Sequence, residues 1–203
     1  MTPKRKIAIY GGTFSPPHVA HVRACEAFYE HIKPDELLII PDYLPPHKEI
    51  EGEVTPSQRL KMAELAFSHI PTAKISDMEI LRGGRSYTAV TLTELSQNDA
   101  ELYFLCGTDM FLTLDSWYRP DIIFSLATIC CIRRENDAKN DSLIAQKTVE
   151  YRERFGAKLV FIPVDAIELS SSRVREMIAS GEDTSALIPG NVLKYIKNEG
   201  IYL

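Results

Sequence analysis

Five short runs, residues 7–10, 36–40, 101–106, 126–132 and 158–164, are mostly apolar and show no alternation of polar residues. Strands of that kind are covered on both faces. Stretches with helical spacing lie between them, so the pattern is that of βαβ units around a parallel sheet. A weaker strand is expected at 73–76. Helices are expected at about 17–31, 57–69, 86–96, 120–124, 141–154, 173–179 and 191–198, with an irregular helical segment at 111–117. The expected fold class is α/β: a Rossmann-like, doubly wound parallel sheet with helices on both faces. A chain of 203 residues can fill one such domain, 1–203, with a small helical part from about residue 168.

The formal net charge is −5, with 45% hydrophobic and 25% charged residues. That balance argues against broad binding to nucleic acid or to anionic membranes, so any anion site has to be built locally. The four cysteines, Cys25, Cys106, Cys130 and Cys131, form no C-x-x-C and no zinc spacing. The adjacent pair lies in an apolar run, so buried, reduced thiols are expected. The basic residues 1–6 are not followed by the apolar region of a signal peptide, and no run approaches the ~20 residues of a membrane span. A cytoplasmic location is the expectation.

A local anion site is written into residues 7–21. A short strand meets Gly11 and Gly12, turns, and gives way to a helix at Pro16 and Pro17. Glycine permits close backbone approach, proline is tolerated in a first helical turn, and a helix N-terminus attracts phosphate. His18 and His21 are three residues apart and so share a helical face near that end. A capping role or a metal site would be the alternatives, but no third zinc ligand is in sight and nothing resembles H-E-x-x-H. Neither G-x-x-x-x-G-K-[ST] nor a strand followed by G-x-G-x-x-G occurs.

A second anion site is expected at residues 170–175, SSSRVR. The bland reading is a serine N-cap. Yet no choice of capping serine completes a capping box, and arginines at the positive end of a helix cost on the order of 0.3–1 kcal/mol each. An anion at that end would offset the cost, held by hydroxyls, N–H groups and a guanidinium. The proline-rich loop 41–48, at the carboxyl end of the second strand, delivers His47 and Lys48 to the edge where ligands of open α/β sheets bind. Asp109, just past a strand end, is well placed for ribose hydroxyls.

These motifs carry a resemblance. GGTFSPPHVAH is similar to the GGTFDPxHxGH signature of the HxGH nucleotidyltransferase superfamily, with Ser15 in place of the usual Asp and Ala20 in place of the usual Gly. LSSSRVR, 169–175, resembles its second signature, I-S-S-T-x-I-R. The ordered set of Pro-Pro-His-Lys (45–48), Arg59, Ser-Tyr-Thr (86–88), Gly-Thr-Asp (107–109), Trp117 and Arg133-Arg134 resembles the bacterial nicotinate-nucleotide adenylyltransferases. The likeness runs from Ile7 to Arg175.

The resemblance implies the α/β phosphodiesterase type of nucleotidyltransferase fold. It also implies transfer of an adenylyl group from ATP to nicotinate mononucleotide, with release of pyrophosphate. By the same likeness, His18, His21, Lys48 and Arg175 would be catalytic. ATP would meet Gly11, Gly12, Thr13, Phe14, His18, His21, Gly107, Asp109, Ile132, Ser171, Ser172 and Arg175. The mononucleotide would meet Thr13, Lys48, Tyr87, Thr88, Trp117 and Arg134. No protein metal site is implied; magnesium would travel on ATP. Neither nucleic acid nor membrane is implied as a partner, and a homo-oligomer stays open. Activity is expected to survive the loss of the carboxylate at Ser15. The alternatives are a sister enzyme using nicotinamide mononucleotide, pantetheine phosphate or a cytidylyl acceptor, and a non-catalytic dinucleotide sensor. Pro-Pro-His-Lys and the Trp117 region disfavour the pantetheine and cytidylyl cases.

Overall fold

The computed structural model describes residues 4–46, 54–97, 99–134, 138–165 and 167–203, and leaves the side chains of 134, 138 and 139 undescribed. The chain opens with β1 (Lys6–Gly12), α1 (Val19–Ile32), β2 (Glu36–Pro41), α2 (Pro56–Phe67) and β3 (Ala73–Ile75). It continues through α3 (Met78–Arg82), α4 (Thr88–Ser96), β4 (Glu101–Gly107), α5 (Thr108–Thr113) and a 3-10 turn at Leu114–Ser116. The remaining elements are α6 (Pro120–Leu126), β5 (Ala127–Arg134), α7 (Ala138–Phe155), β6 (Leu159–Val164), α8 (Ser171–Ala179) and α9 (Gly190–Glu199). The strands form one six-stranded sheet in the order β3-β2-β1-β4-β5-β6. That order is the doubly wound one expected from continuous apolar strands separated by helices.

Three details differ from the sequence expectation. β1 does not stop at the glycines but runs through both, and α1 begins at Val19 rather than at the prolines, after a cis peptide bond between Ser15 and Pro16. The short α3 was not anticipated. The turn expected after it is present, with Gly83 and Gly84 both at positive φ.

The chain divides into two compact units. The first comprises Met1–Tyr10, Ala27–Leu37 and Tyr87–Ala166. In it β1, β4, β5 and β6 pair in parallel, with Ile7 opposite Leu102, Leu105 opposite Cys130, and Cys131 opposite Phe161. Cys130 and Cys131 are buried free thiols, as their apolar setting suggested, and so is Cys106. Beside the strands lies an aromatic cluster. Tyr151 of α7 meets Phe111 edge-on at 5.3 Å, and Phe124 stacks on Phe155 at 4.7 Å. Its one polar tip is satisfied: the Tyr151 hydroxyl lies 2.7 Å from the Phe111 carbonyl and 3.1 Å from Asp115 Oδ1. A buried aromatic with a polar end needs such partners.

The second unit comprises Gly11–Glu26, Leu38–Ser86 and Ile167–Leu203. α2 starts at a full capping box, in which Thr55 accepts from the Gln58 N–H and Gln58 answers to the Thr55 N–H, satisfying two orphan donors at once. Its buried face is Met62, Ala63, Ala66 and Phe67, together with Arg59, while Leu60 and Leu65 are only partly covered. Apolar spacing alone would place Leu60 and Leu65 inward. A fully buried arginine displaces that pattern for a reason given below. In α1, Cys25 and Phe28 are buried while Val22 and Ala27 are partly exposed.

Replacing Tyr151 with Phe removes only the hydroxyl and leaves two acceptors short of a donor. We expect a loss of about 1–2 kcal/mol, read as a lower urea midpoint by circular dichroism with an unchanged slope.

Candidate functional site

In the second unit, the segment after β1 is held from three sides. Gly12 has no side chain because the Phe14 ring occupies the space: a Cβ there would sit 3.0 Å from the ring tip. Phe14 itself adopts φ 48° and packs edge-on against Phe67 at 5.3 Å and His21 at 5.5 Å. The pair of glycines was expected to serve ligand approach. For Gly12 the close neighbour is this ring. Below the loop, Arg59 is fully buried and donates to the Thr13 carbonyl at 3.0 Å, to Asp42 Oδ1 at 3.0 Å and to the Tyr43 carbonyl at 3.1 Å. Thr13 Oγ1 completes the ring of bonds by donating to Asp42 Oδ2 at 2.8 Å. Burial pulls the guanidinium below its usual value, and the Asp42 carboxylate opposes that shift.

α8 closes the second side. Ser170 is an ordinary N-cap, accepting from the Arg173 N–H at 3.2 Å, which corrects the expectation that no serine here would simply cap. The other two serines face elsewhere. Ser171 Oγ donates to the Pro16 carbonyl at 3.0 Å, and Ser172 Oγ accepts from Arg175 at 3.1 Å. Arg175 also donates to the Ser15 carbonyl at 2.9 Å. Arg173 points to Glu176 and Glu182 at 3.4 and 3.7 Å and has a surface role.

The histidines form the third side. Their rings stack at 3.7 Å with 25° between planes. The His18 N–H donates to His21 Nδ1 at 3.2 Å, which places the hydrogen of a neutral His21 ring on Nε2 and makes that atom a donor. The Val19 N–H is taken by the Leu187 carbonyl at 2.9 Å. Two of the N–H groups expected to await an anion at the start of α1 are therefore satisfied internally. His18 is 4% exposed, its Nδ1 is buried without a hydrogen-bond partner, and burial lowers its pKa to about 4. An orphaned buried donor or acceptor is costly, and a ligand would relieve it.

The carboxyl end of β2 is fastened by the residues that follow α3. The Tyr43 N–H donates to Ser86 Oγ at 2.9 Å, and the Ser86 N–H to the Leu44 carbonyl at 2.9 Å. His47, Lys48 and the loop to residue 53 lie outside the described residues.

In the first unit, Gly107 and Ile132 are opposite each other at the ends of β4 and β5, and Thr108 Oγ1 donates to the Ile132 carbonyl at 3.2 Å. A Cβ at Gly107 would meet nothing within 4 Å. Asp109 is exposed in the first turn of α5. Trp117 is half-buried and packs edge-on against Phe104 at 6.4 Å. Tyr87, at the start of α4 beside Thr88, lies against Tyr118 with centroids 4.5 Å apart. Tyr118 was not singled out in the sequence, although it follows Trp117 directly. The Arg134 side chain is outside the described set.

Residues 9–177 match the cytidylyltransferase-like family model. A Lachnoclostridium phytofermentans protein named "probable nicotinate-nucleotide adenylyltransferase" is 37% identical over 201 residues, covering 98% of this chain and the whole of that protein. The chain belongs to the nicotinate-nucleotide adenylyltransferase family. A Staphylococcus epidermidis protein of the same name is 32% identical over 98% of this chain and 97% of its own. Among solved structures, a Plasmodium falciparum nicotinic acid mononucleotide adenylyltransferase complexed with APC superimposes with TM-score 0.73 at 20% identity, covering 98% of this chain and 97% of that one. That likeness bears on the fold, which is the nucleotidyltransferase α/β type. The chain is thus a nucleotidyltransferase.

Two outcomes are expected here. Arg59→Met leaves the Asp42 carboxylate buried without its cation and should cost about 3–5 kcal/mol, partly recovered by adding Asp42→Asn. A single variant within about 1 kcal/mol of the parent in urea would mean the pair does not hold the loop. For His18, the unfolded ring gains its proton near pH 6.5 and the folded ring only near 4. Between those values the unfolded chain binds more protons, so stability falls as pH falls, by about 3 kcal/mol at pH 4. His18→Gln should lack that part of the slope when urea midpoints are compared from pH 7 to 4.

Proposed function

We propose that the chain transfers the adenylyl group of ATP to nicotinate mononucleotide, giving nicotinate adenine dinucleotide and pyrophosphate in NAD synthesis. The observation that carries the reading most is the convergence, on residues 15–21, of two histidines with the serines and arginine of α8. In the reaction a phosphate oxygen of the mononucleotide forms a bond to the α-phosphorus of ATP while the bond to pyrophosphate breaks in line. The attacking oxygen is already an anion, so positioning and charge neutralisation supply the catalysis. Cysteine chemistry has no part in it. Burial pushes the Cys25 and Cys130 thiols up, the latter to about 12, and a buried neutral thiol is a poor nucleophile.

In this reading His18 and His21 donate to the transferring phosphoryl group. His18 enters neutral, and the approach of negative charge favours its protonated form. Ser171, Ser172 and Arg175 hold the β and γ phosphates, with the backbone of Gly11, Gly12, Thr13 and Phe14 alongside the nucleotide and Lys48 near the reacting groups. Gly107, Asp109 and Ile132 receive the adenosine. Trp117 stacks on the pyridine ring, Thr88 and neighbouring N–H groups receive its carboxylate, and Thr13, Lys48, Tyr87 and Arg134 complete the mononucleotide contacts. The donor groups on 15–21 and 171–175 are hydroxyls, imidazoles and a guanidinium, a set suited to phosphate oxygens rather than to a metal. Magnesium accordingly fits on the triphosphate, held by phosphate oxygens and water, where it neutralises charge. The family match from 9 to 177 crosses both compact units, which supports treating 1–203 as one nucleotidyltransferase domain. No helix among the described residues is long and apolar enough to cross a membrane, and soluble nucleotide substrates accord with a cytoplasmic enzyme.

The test is pyrophosphate release with magnesium ATP and either nicotinate or nicotinamide mononucleotide. A rate with the nicotinate form at least ~10-fold above the amide corresponds to about 1.4 kcal/mol of discrimination, and His18→Ala should abolish it. Equal use of both would keep the chemistry and overturn the specificity. Tight dinucleotide binding without turnover would instead indicate a sensor.

A further inference from the structure

Ser15, which lacks the carboxylate usual at its position, is 3% exposed, and its hydroxyl is not spent on capping the turn. It lies 2.9 Å from the hydroxyl of Tyr202. The route by which Tyr202 arrives is unusual. α9 ends at Gly200 in the left-handed conformation, with the Ile201 N–H returned to the Ile196 carbonyl at 3.0 Å. Ile201 is then buried, and Tyr202 is itself left-handed at φ 64°. A non-glycine residue in that region is strained, and such strain persists where the surroundings over-determine it. Here the surroundings are the phosphate loop. The charges of Arg175 and Arg59 both act on the Tyr202 phenol, which burial nonetheless holds up at about 12, so it is a neutral hydroxyl near pH 7.

We propose that Tyr202 is a positioning residue for ATP, fixing Ser15 so that its carbonyl orients Arg175 toward the triphosphate. Ser15 is the meeting point: its side chain answers to Tyr202, its carbonyl to Arg175, and the carbonyl of the next residue, Pro16, to Ser171. Loss of the Tyr202 hydroxyl, or of the Ser15 hydroxyl, removes the side-chain fastening of Ser15, and the backbone that Arg175 grips loses that restraint. The triphosphate contacts then loosen while the mononucleotide contacts are untouched. This inference rests on the assignment of Arg175 to the triphosphate.

The experiment compares the parent, Tyr202→Phe, Ser15→Ala and the double variant, each by calorimetric titration with magnesium ATP alone and by steady-state kinetics with nicotinate mononucleotide. Tyr202→Phe should weaken ATP binding and raise the KM for ATP by about 10-fold, with the KM for the mononucleotide unchanged. Ser15→Ala should act in the same direction, and the double variant should be no worse than the worse single, because all three lose one shared bond. A purely structural tyrosine would lower the thermal midpoint and leave both KM values and the ATP affinity where they were, which overturns the proposal. Effects of the two substitutions that multiply would overturn it as well. If the parent does not turn over nicotinate mononucleotide, the proposed function fails, and the ATP titration still decides the role of Tyr202. A parent that binds no ATP would overturn both.

Discussion

Arg59, a fully buried cation, fixes where the loop after β1 can be. Its guanidinium is shared among the carbonyls of Thr13 and Tyr43 and the Asp42 carboxylate, so the end of β1 and the end of β2 are fastened through one planar group. An arginine suits that task better than a lysine, because a rigid fork of donors can satisfy three acceptors in fixed directions. Taking such a charge out of water is expensive, and an apolar substitute for the whole network could be as stable. What an apolar substitute would lack is direction. The arrangement is therefore better understood as setting geometry than as adding stability.

The histidines and the serine-arginine groups of α8 are tuned by burial and by what already occupies their hydrogen-bonding capacity. His21 accepts the His18 N–H and thereby presents Nε2 as a donor, while His18 stays neutral. Two imidazolium rings stacked at 3.7 Å would repel strongly with no anion between or beside them, so an uncharged resting pair is the arrangement the geometry tolerates. α8 shows a similar economy of parts: one serine caps, one fastens the loop, and one steadies Arg175.

Much of this was legible in the sequence where the information is local. The apolar runs gave strands because a parallel sheet buries both faces, and the βαβ alternation gave the doubly wound class, though not the strand order. The histidine pair and the serine-arginine turn could be found because each lies within a few consecutive residues. The links that join them could not. Asp42 and Arg59 are 17 positions apart and Ser15 and Tyr202 are 187 apart, and a period-based reading scores Arg59 as solvent-facing because it is charged. The helix starting at Val19 rather than at the prolines was hidden for a related reason: which N–H groups are spent internally depends on Leu187 and on the His21 ring, neither of which a cap pattern can report.

The four cysteines are free, buried and distributed unevenly, with Cys25 in the second unit and Cys106, Cys130 and Cys131 in the first. None can react with a thiol reagent until its surroundings open, and none is needed for the chemistry proposed. They are thus native reporters of local unfolding. Which thiol is labelled first, and whether labelling slows when nucleotide is present, would map the order in which the two units give way.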